Sequence, residues 1–334
     1  MSTIPCHRFE APSDPAAKAR AWCEHIAPVF QVEVARDADL TAPIGMTIWH
    51  LGEIIVGWVD APAQRLERSD RLIAQQGLDH VLLQFYERGR ARVETPRHSG
   101  TVEGAQVVVF DLTQPVSIEA AAVRAINVMI PRALVSDEVG LVESLHGRAF
   151  DYDSDPVKRL LHTYLRGLIA CGDTLEPVHL HSVAQAASKL CGACFHQQSD
   201  VRRVADTDVN LAVRQFIQRE LTNTTLGVDV ITQRFGLSRA TLYRLFDADG
   251  GVINYIRDRR LMRAMKLLTQ AGGSSRPRVS AVAYATGFAD EKTFSRAFKR
   301  RFGFLPRDAG TGGARSVSPG PTPVLLSWIK TLAA

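Results

Sequence analysis

Apolar side chains change their period along this chain. Through the front they come in short runs: Ile48 to Leu51, Glu53 to Val59, His80 to Glu87, Val107 to Leu112 and Ala125 to Ile130. Gly, Pro, Asp or Asn breaks up the intervals, and Arg90 to Glu94 alternates polar with apolar. Short runs at this spacing predict the strands of a sandwich or barrel. Ahead of them Asp14 to Ile26, rich in Ala and Lys, predicts a helix.

From Asp137 the period turns helical. Val157, Leu160, Leu161, Tyr164, Leu165 and Leu168 recur at helical steps behind Pro156, which suits a first helical turn. His181 to Phe195 is a second apolar, Ala-rich helix. Both faces are wide enough to need a partner surface, either the barrel or a second copy of the chain. His196 to Thr207 is polar and reads as a linker. Gly310 to Pro323 is a tether rich in Gly, Pro and Ser. The apolar stretch beyond it, Val324 to Leu332 with Trp328, is expected to pack on its own domain rather than on a partner.

The strongest pattern is an internal repeat. Val228 to Phe246 (VDVITQRFGLSRATLYRLF) returns as Val279 to Phe298 (VSAVAYATGFADEKTFSRAF), at a spacing of 51 residues through the Gly and 52 from the cap onward. Each copy has a small residue followed four positions later by Gly: Thr232 and Gly236, then Ala283 and Gly287. Each then has a side chain able to cap a new helix, Ser238 or Asp290. From the cap, Leu242 or Phe294 stands at +4, Arg244 or Arg296 at +6, and Phe246 or Phe298 at +8. This is the arrangement of a helix-turn-helix pair. Gly permits the tight turn, and the +4 and +8 residues hold the second helix down. The +2, +5 and +6 side chains are left facing outward, where a major groove can receive them.

Between the copies, Val252 to Ala271 lacks Pro and Gly, and offers Ile253, Ile256, Leu261, Ala264, Met265 and Leu268 for a buried face. One continuous helix of that length spans about 30 Å, close to the roughly 34 Å between successive major-groove turns on one face of a duplex. Charge follows the same division. Asp208 to Gly310 holds 18 basic and 9 acidic side chains, whereas residues 1–207 hold 20 basic and 26 acidic ones. A basic module at the back of a mildly acidic chain fits a polyanion.

These residues resemble the DNA-binding domain of the AraC/XylS family of bacterial transcription regulators. The match rests on Ser238, Leu242, Arg244 and Phe246; on Arg260-Leu261, Ala264 and Leu267-Leu268; and on Gly287-Phe288, Phe294, Ser295-Arg296, Phe298-Lys299, Phe302-Gly303 and Pro306. Four positions depart from the family pattern. Thr232 stands where Ala is usual, Gly251 to Tyr255 lacks a Pro, the link Gly272 to Arg278 is longer and more polar, and no Tyr-Arg pair follows Pro306. In the front, HVLLQFYERGRARVE, VVVFDLTQP and INVMIPRAL within His80 to Leu134 are similar to the cupin-like effector domain found in many members.

The resemblance implies a multidomain α+β chain. Residues 1–200 form an effector-binding and oligomerisation domain, with a cupin-like β-barrel at about 40–135 and a helical dimerisation segment at about 137–195. A linker at 201–207 leads to an all-α DNA-binding domain with two helix-turn-helix motifs at 208–310, and residues 311–334 are a flexible tail with a short apolar helix. By position in the family pattern, the first reading helix presents Arg239, Ala240, Tyr243 and Arg244, and the second Glu291, Lys292, Ser295 and Arg296. Arg suits bidentate contact with guanine, Glu can accept from cytosine, and Ala240 offers little beyond a thymine methyl. Arg244 and Arg296 have a plainer alternative as structural ion pairs or phosphate clamps. Lys299, Arg300, Arg301 and Arg307 suit phosphates, which fix register without reading sequence.

Composition narrows the class. The chain has 334 residues, 46% hydrophobic and 22% charged, which excludes a disordered or fibrous chain and makes two domains the default. No apolar run is long enough to span a bilayer, and Met1 to Glu10 lacks the pattern of a secretory signal. Five cysteines fit a reducing cytoplasm. Cys191, Cys194 and His196 look like half a metal site without a second half, and His179 with His181 falls in the helical region. The barrel histidines His50, His80 and His98 are scattered.

The expected function is therefore a cytoplasmic, sequence-specific regulator, mostly an activator by analogy. It has no catalytic residues, metal or other cofactor, and no membrane association. Its expected partners are double-stranded promoter DNA, a small-molecule effector, RNA polymerase and a second copy in a homodimer. The alternative from another class is a cupin-type metal-dependent enzyme with an accessory DNA-binding module.

Overall fold

A strand that buries one face alternates, whereas a strand that buries both reads as a continuous apolar run. Both kinds occur in the computed structural model, which describes residues 4–139, 142–195, 204–270, 277–309 and 324–332. The chain divides into two units. One comprises Met1–Ile73, Leu78–Gln197 and Ser318–Ala334; the other comprises Ala74–Gly77 and Gln198–Val317.

The first unit contains strands β1 (Cys6–Glu10), β2 (Gln31–Val34), β3 (Gly45–His50), β4 (Ile55–Ala61), β5 (Gln64–Arg68), β6 (His80–Arg88), β7 (Arg90–Glu94), β8 (Ser99–Glu103), β9 (Gln106–Asp111), β10 (Val116–Ala120), β11 (Val123–Pro131) and β12 (Ala149–Asp151). They form an antiparallel seven-stranded sheet, ordered β1-β3-β4-β11-β6-β9-β12, and a five-stranded sheet, ordered β2-β5-β10-β7-β8. The strands therefore begin well before residue 40 and end after 135. The sequence hid β1 and β2 because each is short and only half-buried.

Helix α1 (Pro15–Ile26) starts on Asp14, whose carboxylate accepts the Ala17 N–H at 2.8 Å, and buries Trp22 and Ile26. After the short helices α2 (Asp70–Gln76), α3 (Arg132–Val139) and α4 (Val142–Leu145) come α5 (Pro156–Cys171) and α6 (Leu180–Phe195). The continuous run of β6 is explained by two separate cores. Val81, Leu83 and Phe85 pack toward Leu161 and Leu165 of α5 and Ala184 and Ala187 of α6. Leu82 and Tyr86 point the other way, into the space between the sheets. β7, in the five-stranded sheet, buries only Ala91 and Val93 and alternates accordingly.

Two apolar residues of the expected α5 stripe face outward. Leu160 is 61% exposed and Val157 also stands out, because the sheet takes the face carrying Leu161, Leu165 and Leu168.

The second unit is helical: α7 (Val204–Arg219), α8 (Val228–Phe235), α9 (Arg239–Leu245), α10 (Val252–Gln270), α11 (Val279–Ala285) and α12 (Glu291–Phe302). α7 takes in Val204 to Thr207, so the expected linker at 201–207 is helix at its end, and its first residues lie outside the described ones. On α10 the predicted buried face holds except at Ile253, which is 46% exposed; Val252 and Tyr255 are buried in its place.

The final helix, α13 (Val324–Thr331), belongs to the barrel unit, although it follows the helical unit in the chain. Leu325, Ile329 and Leu332 join Trp22, Ile26 and Met46 in the core between the sheets. The tail therefore packs within its own chain, on the unit that precedes the helical one. The barrel provides the apolar seat.

Trp328 of α13 meets His50 and His7 edge-on, with ring centroids 5.6 and 6.2 Å apart, and His7 stacks on His25 at 5.2 Å. Burial lowers the pKa of all three imidazoles, and His25, with His7 also opposing its charge, falls to about 4. Because the folded values lie below that of the unfolded chain, the unfolded state takes up protons first as the pH falls. Their contribution is complete above about pH 6.5 and drains away as the pH drops toward the folded values. The melting temperature of the barrel unit should therefore fall between neutral pH and about pH 5. His25→Phe should reduce that fall, and thermal melts followed by circular dichroism across the range check it.

Candidate nucleic-acid interface and barrel cavity

Each copy of the repeat forms the same local structure. α8 ends at Gly236 in the left-handed region (φ 64°), and Ser238 then caps α9 by accepting the Thr241 N–H at 3.0 Å. α11 is followed by Gly287 (φ 87°), and Asp290 caps α12 by accepting the Thr293 N–H at 2.7 Å. Hydrogen bonds to Thr293 hold the Asp290 carboxyl below the usual carboxylate range. Leu242, Phe246, Phe294 and Phe298, the +4 and +8 residues, are fully buried. Phe288, Phe294, Phe298 and Phe302 form a run of edge-to-face rings beneath α12.

That burial fixes the outer faces. On α9, Arg239, Ala240, Tyr243 and Arg244 are all exposed. On α12, Glu291, Lys292 and Arg296 are exposed and Ser295 is half-buried. Arg239 already pairs with Asp229 of α8 at 2.6 Å, but both groups are well solvated and such a bridge holds little free energy against a competing phosphate or base. Lys299, Arg300 and Arg307 are exposed. Arg301 is half-buried and lies over the Phe302 ring at 5.4 Å, so it is also committed to packing. Lys299, Arg300 and Arg301 occupy the last turn of α12, where positive charge complements the helix dipole.

Three contacts that the sequence pattern did not reveal set the position of the reading helices. Asn210 of α7 donates through Nδ2 to the Leu245 carbonyl at 3.0 Å, satisfying one of the terminal acceptors of α9. Arg214, one turn on, pairs with Asp249 at 2.5 Å and stacks on Phe246 and Tyr255, each 4.5 Å from its guanidinium carbon. Arg260, midway along α10, donates to the carbonyls of Leu221 at 2.9 Å and Asn223 at 2.6 Å. A Cβ on Gly287 would come within 2.5 Å of the Leu221 oxygen and 2.8 Å of Arg260 Nε. Gly287 thus serves a close approach as well as a turn. Thr232, where the family has Ala, is accommodated because its hydroxyl donates to the Asp229 carbonyl at 3.1 Å. The link from Gly272 lies mostly outside the described residues.

The barrel unit holds a cavity between its sheets, with a mouth open to solvent. β3, β4, β5, β6 and β11 supply most of its wall, α1 contributes Trp22 and Ile26, and α13 contributes Leu325. Most of the lining is apolar. The exceptions are Gln64, which accepts the Trp22 indole N–H at 2.7 Å, and Gln84 and Asn127.

Cys191 and Cys194 are both buried on α6. Burial raises the thiols of Cys191 and Cys194, the latter to about 12, so both stay protonated. His181 is paired with Glu53, and His196 lies outside the described residues. Among the described residues no group of three or more His, Cys, Asp or Glu is placed to hold a metal ion, and no helix is long and apolar enough to cross a membrane.

A cupin-like barrel and a double helix-turn-helix module in one chain define the class of protein. The particular family follows from comparison. The front matches the AraC-binding-like domain over residues 19–196, more than half of the chain, and the back matches a helix-turn-helix domain over residues 231–310. The chain belongs to the AraC family of regulators. Two sequences of the HTH-type transcriptional activator RhaS from Escherichia coli are 37% and 36% identical to it over 86 residues, which is 25% of this chain. The match spans 30% of the length of each. The fold is similar to the crystal structure of the AraC-like transcriptional activator CuxR, with a TM-score of 0.55 and 24% identity, over 78% of this chain and 95% of that one.

The two turn glycines differ in a measurable way. Gly236→Ala meets nothing within 4 Å and should cost about 1–2 kcal/mol for its backbone conformation alone. Gly287→Ala adds the clash with Leu221 and Arg260 and should cost about 2–4 kcal/mol. Urea unfolding of the two variants compares them directly.

Proposed function

We propose that the protein is a cytoplasmic, effector-responsive transcription regulator, most simply an activator, that binds double-stranded promoter DNA with both reading helices. One observation carries the reading: two capped helices with exposed +1, +2 and +6 side chains, α9 and α12, lie before and after one nineteen-residue helix, α10, along the chain. At about 1.5 Å per residue that helix is long enough to serve adjacent major-groove turns. The basic surplus of the helical unit supports it through phosphate contacts. The names of the related activators support the direction of regulation.

In this reading Arg239, Tyr243 and Arg244, together with Glu291, Lys292, Ser295 and Arg296, read base edges, and Ala240 packs on a thymine methyl. Lys299, Arg300 and Arg307 hold phosphates, and Arg301 does so in part. The barrel receives the effector. Self-association into a homodimer uses the face of α5 that carries Leu160 and Val157, and effector binding shifts how two such chains meet promoter half-sites and RNA polymerase.

Arg296→Ala should weaken promoter binding and relax specificity in one half-site, by about 1–3 kcal/mol at the affected base. Arg300→Ala should weaken cognate and random DNA alike. Titrations of both variants on cognate and random duplexes at fixed salt decide the matter. Equal losses on both duplexes for Arg296→Ala would remove it from base reading.

A further inference from the structure

The barrel cavity presents a wall of consistent chemistry. Among the described residues lining it, none carries a charge; its polar groups are three side-chain amides. Gln64 is engaged by Trp22. Gln84 and Asn127 stand directly opposite one another on β6 and β11, on the face that lines the cavity. Asn127 Oδ1 is cut off from solvent and has no hydrogen-bond partner. A buried acceptor left in this state is costly, and a donor carried in by a bound molecule would satisfy it.

The same wall discriminates by charge. A carboxylate or phosphate entering it would lose its hydration without meeting Arg or Lys, and an amine would find no Asp or Glu. A hydroxyl or primary amide suits the paired amides, since each can donate and accept. The rest of the lining, Ile48, Ile55, Val59, Leu82 and Met129 among it, suits an aliphatic or aromatic body. One piece of the wall comes from far along the chain. Leu325 of α13 faces the cavity, and Ile329 and Leu332 anchor that helix to the same core.

We propose that the cavity binds an uncharged, mainly apolar molecule whose hydroxyl or amide group meets Asn127, and that α13 is a wall of this site. The proposal rests on reading the barrel as the effector domain and specifies what it takes. It also makes the end of the chain, beyond the DNA-binding helices, part of the ligand site.

The test titrates the full-length protein by calorimetry with four probes of equal chain length: octanol, octanamide, octanoate and octylamine. Octanol and octanamide should bind at least about tenfold more tightly than the two charged probes. Asn127→Leu should weaken octanol about tenfold, while Asn127→Asp should shift preference toward octylamine. Leu325→Trp, which fills the wall from α13, should weaken both neutral probes, with circular dichroism melts showing that each variant is folded. Octanoate or octylamine binding as tightly as octanol overturns the uncharged ligand but leaves the barrel as a binding domain. No binding by any of the four overturns both. Unchanged octanol affinity in a folded Leu325→Trp variant removes α13 from the site.

Discussion

The geometry of the helical unit depends on one close approach. Arg260 leaves the middle of α10, spans to the Leu221 and Asn223 carbonyls just past α7, and lies against the turn that opens toward α12. That approach is possible because residue 287 has no side chain. Two helix-turn-helix units joined only by a long helix would be free to twist about its axis. The Arg260 guanidinium ties the end of α7 to the same helix that carries the second unit, and the bare Gly287 backbone lets that unit close against it. Burial lowers the Arg260 pKa, but a guanidinium keeps its proton in proteins, so the hydrogen bonds of the tie are of the stronger, charge-assisted kind.

The barrel unit is organised by a different constraint, a sheet covered on both faces. One side of β6 and β11 packs against α5 and α6, and the other encloses the cavity. On the cavity side, Asn127 Oδ1 is buried without a hydrogen-bond partner. A buried polar atom there is expensive unless something binds it, and Asn127 is the position where that expense is carried.

Much of this could be read from the sequence, and for a physical reason. The repeat at Val228 and Val279 encodes local geometry, in which a turn, a cap and a three- to four-residue apolar spacing act within a few residues of each other. Ser238, Asp290, Leu242 and Phe294 therefore behave as their positions predict. The apolar run at His80 predicts a strand, and β6 lies there. What could not be read is what depends on distant pairing. β1 and β2 are too short and too exposed to announce themselves, and the opposition of Gln84 to Asn127 exists only once β6 and β11 are in register. Arg260 sits in an ordinary helical pattern, and its acceptors are main-chain carbonyls, which no side-chain pattern can indicate. The outward position of Leu160 and Ile253 shows the limit of periodicity itself: a stripe wider than its partner leaves an edge uncovered.

Since α13 returns to the barrel unit, residues 198–317 are an insertion within that unit rather than an appendage at its end. The consequence is practical as well as topological. A fragment beginning at the helical unit and running to the last residue brings along Leu325, Ile329 and Leu332 without their seat, an adhesive coda that invites aggregation. A fragment ending before the insertion leaves the barrel with an apolar slot open to water. A division that keeps both units whole therefore needs two cuts, near 198 and 317, rather than one.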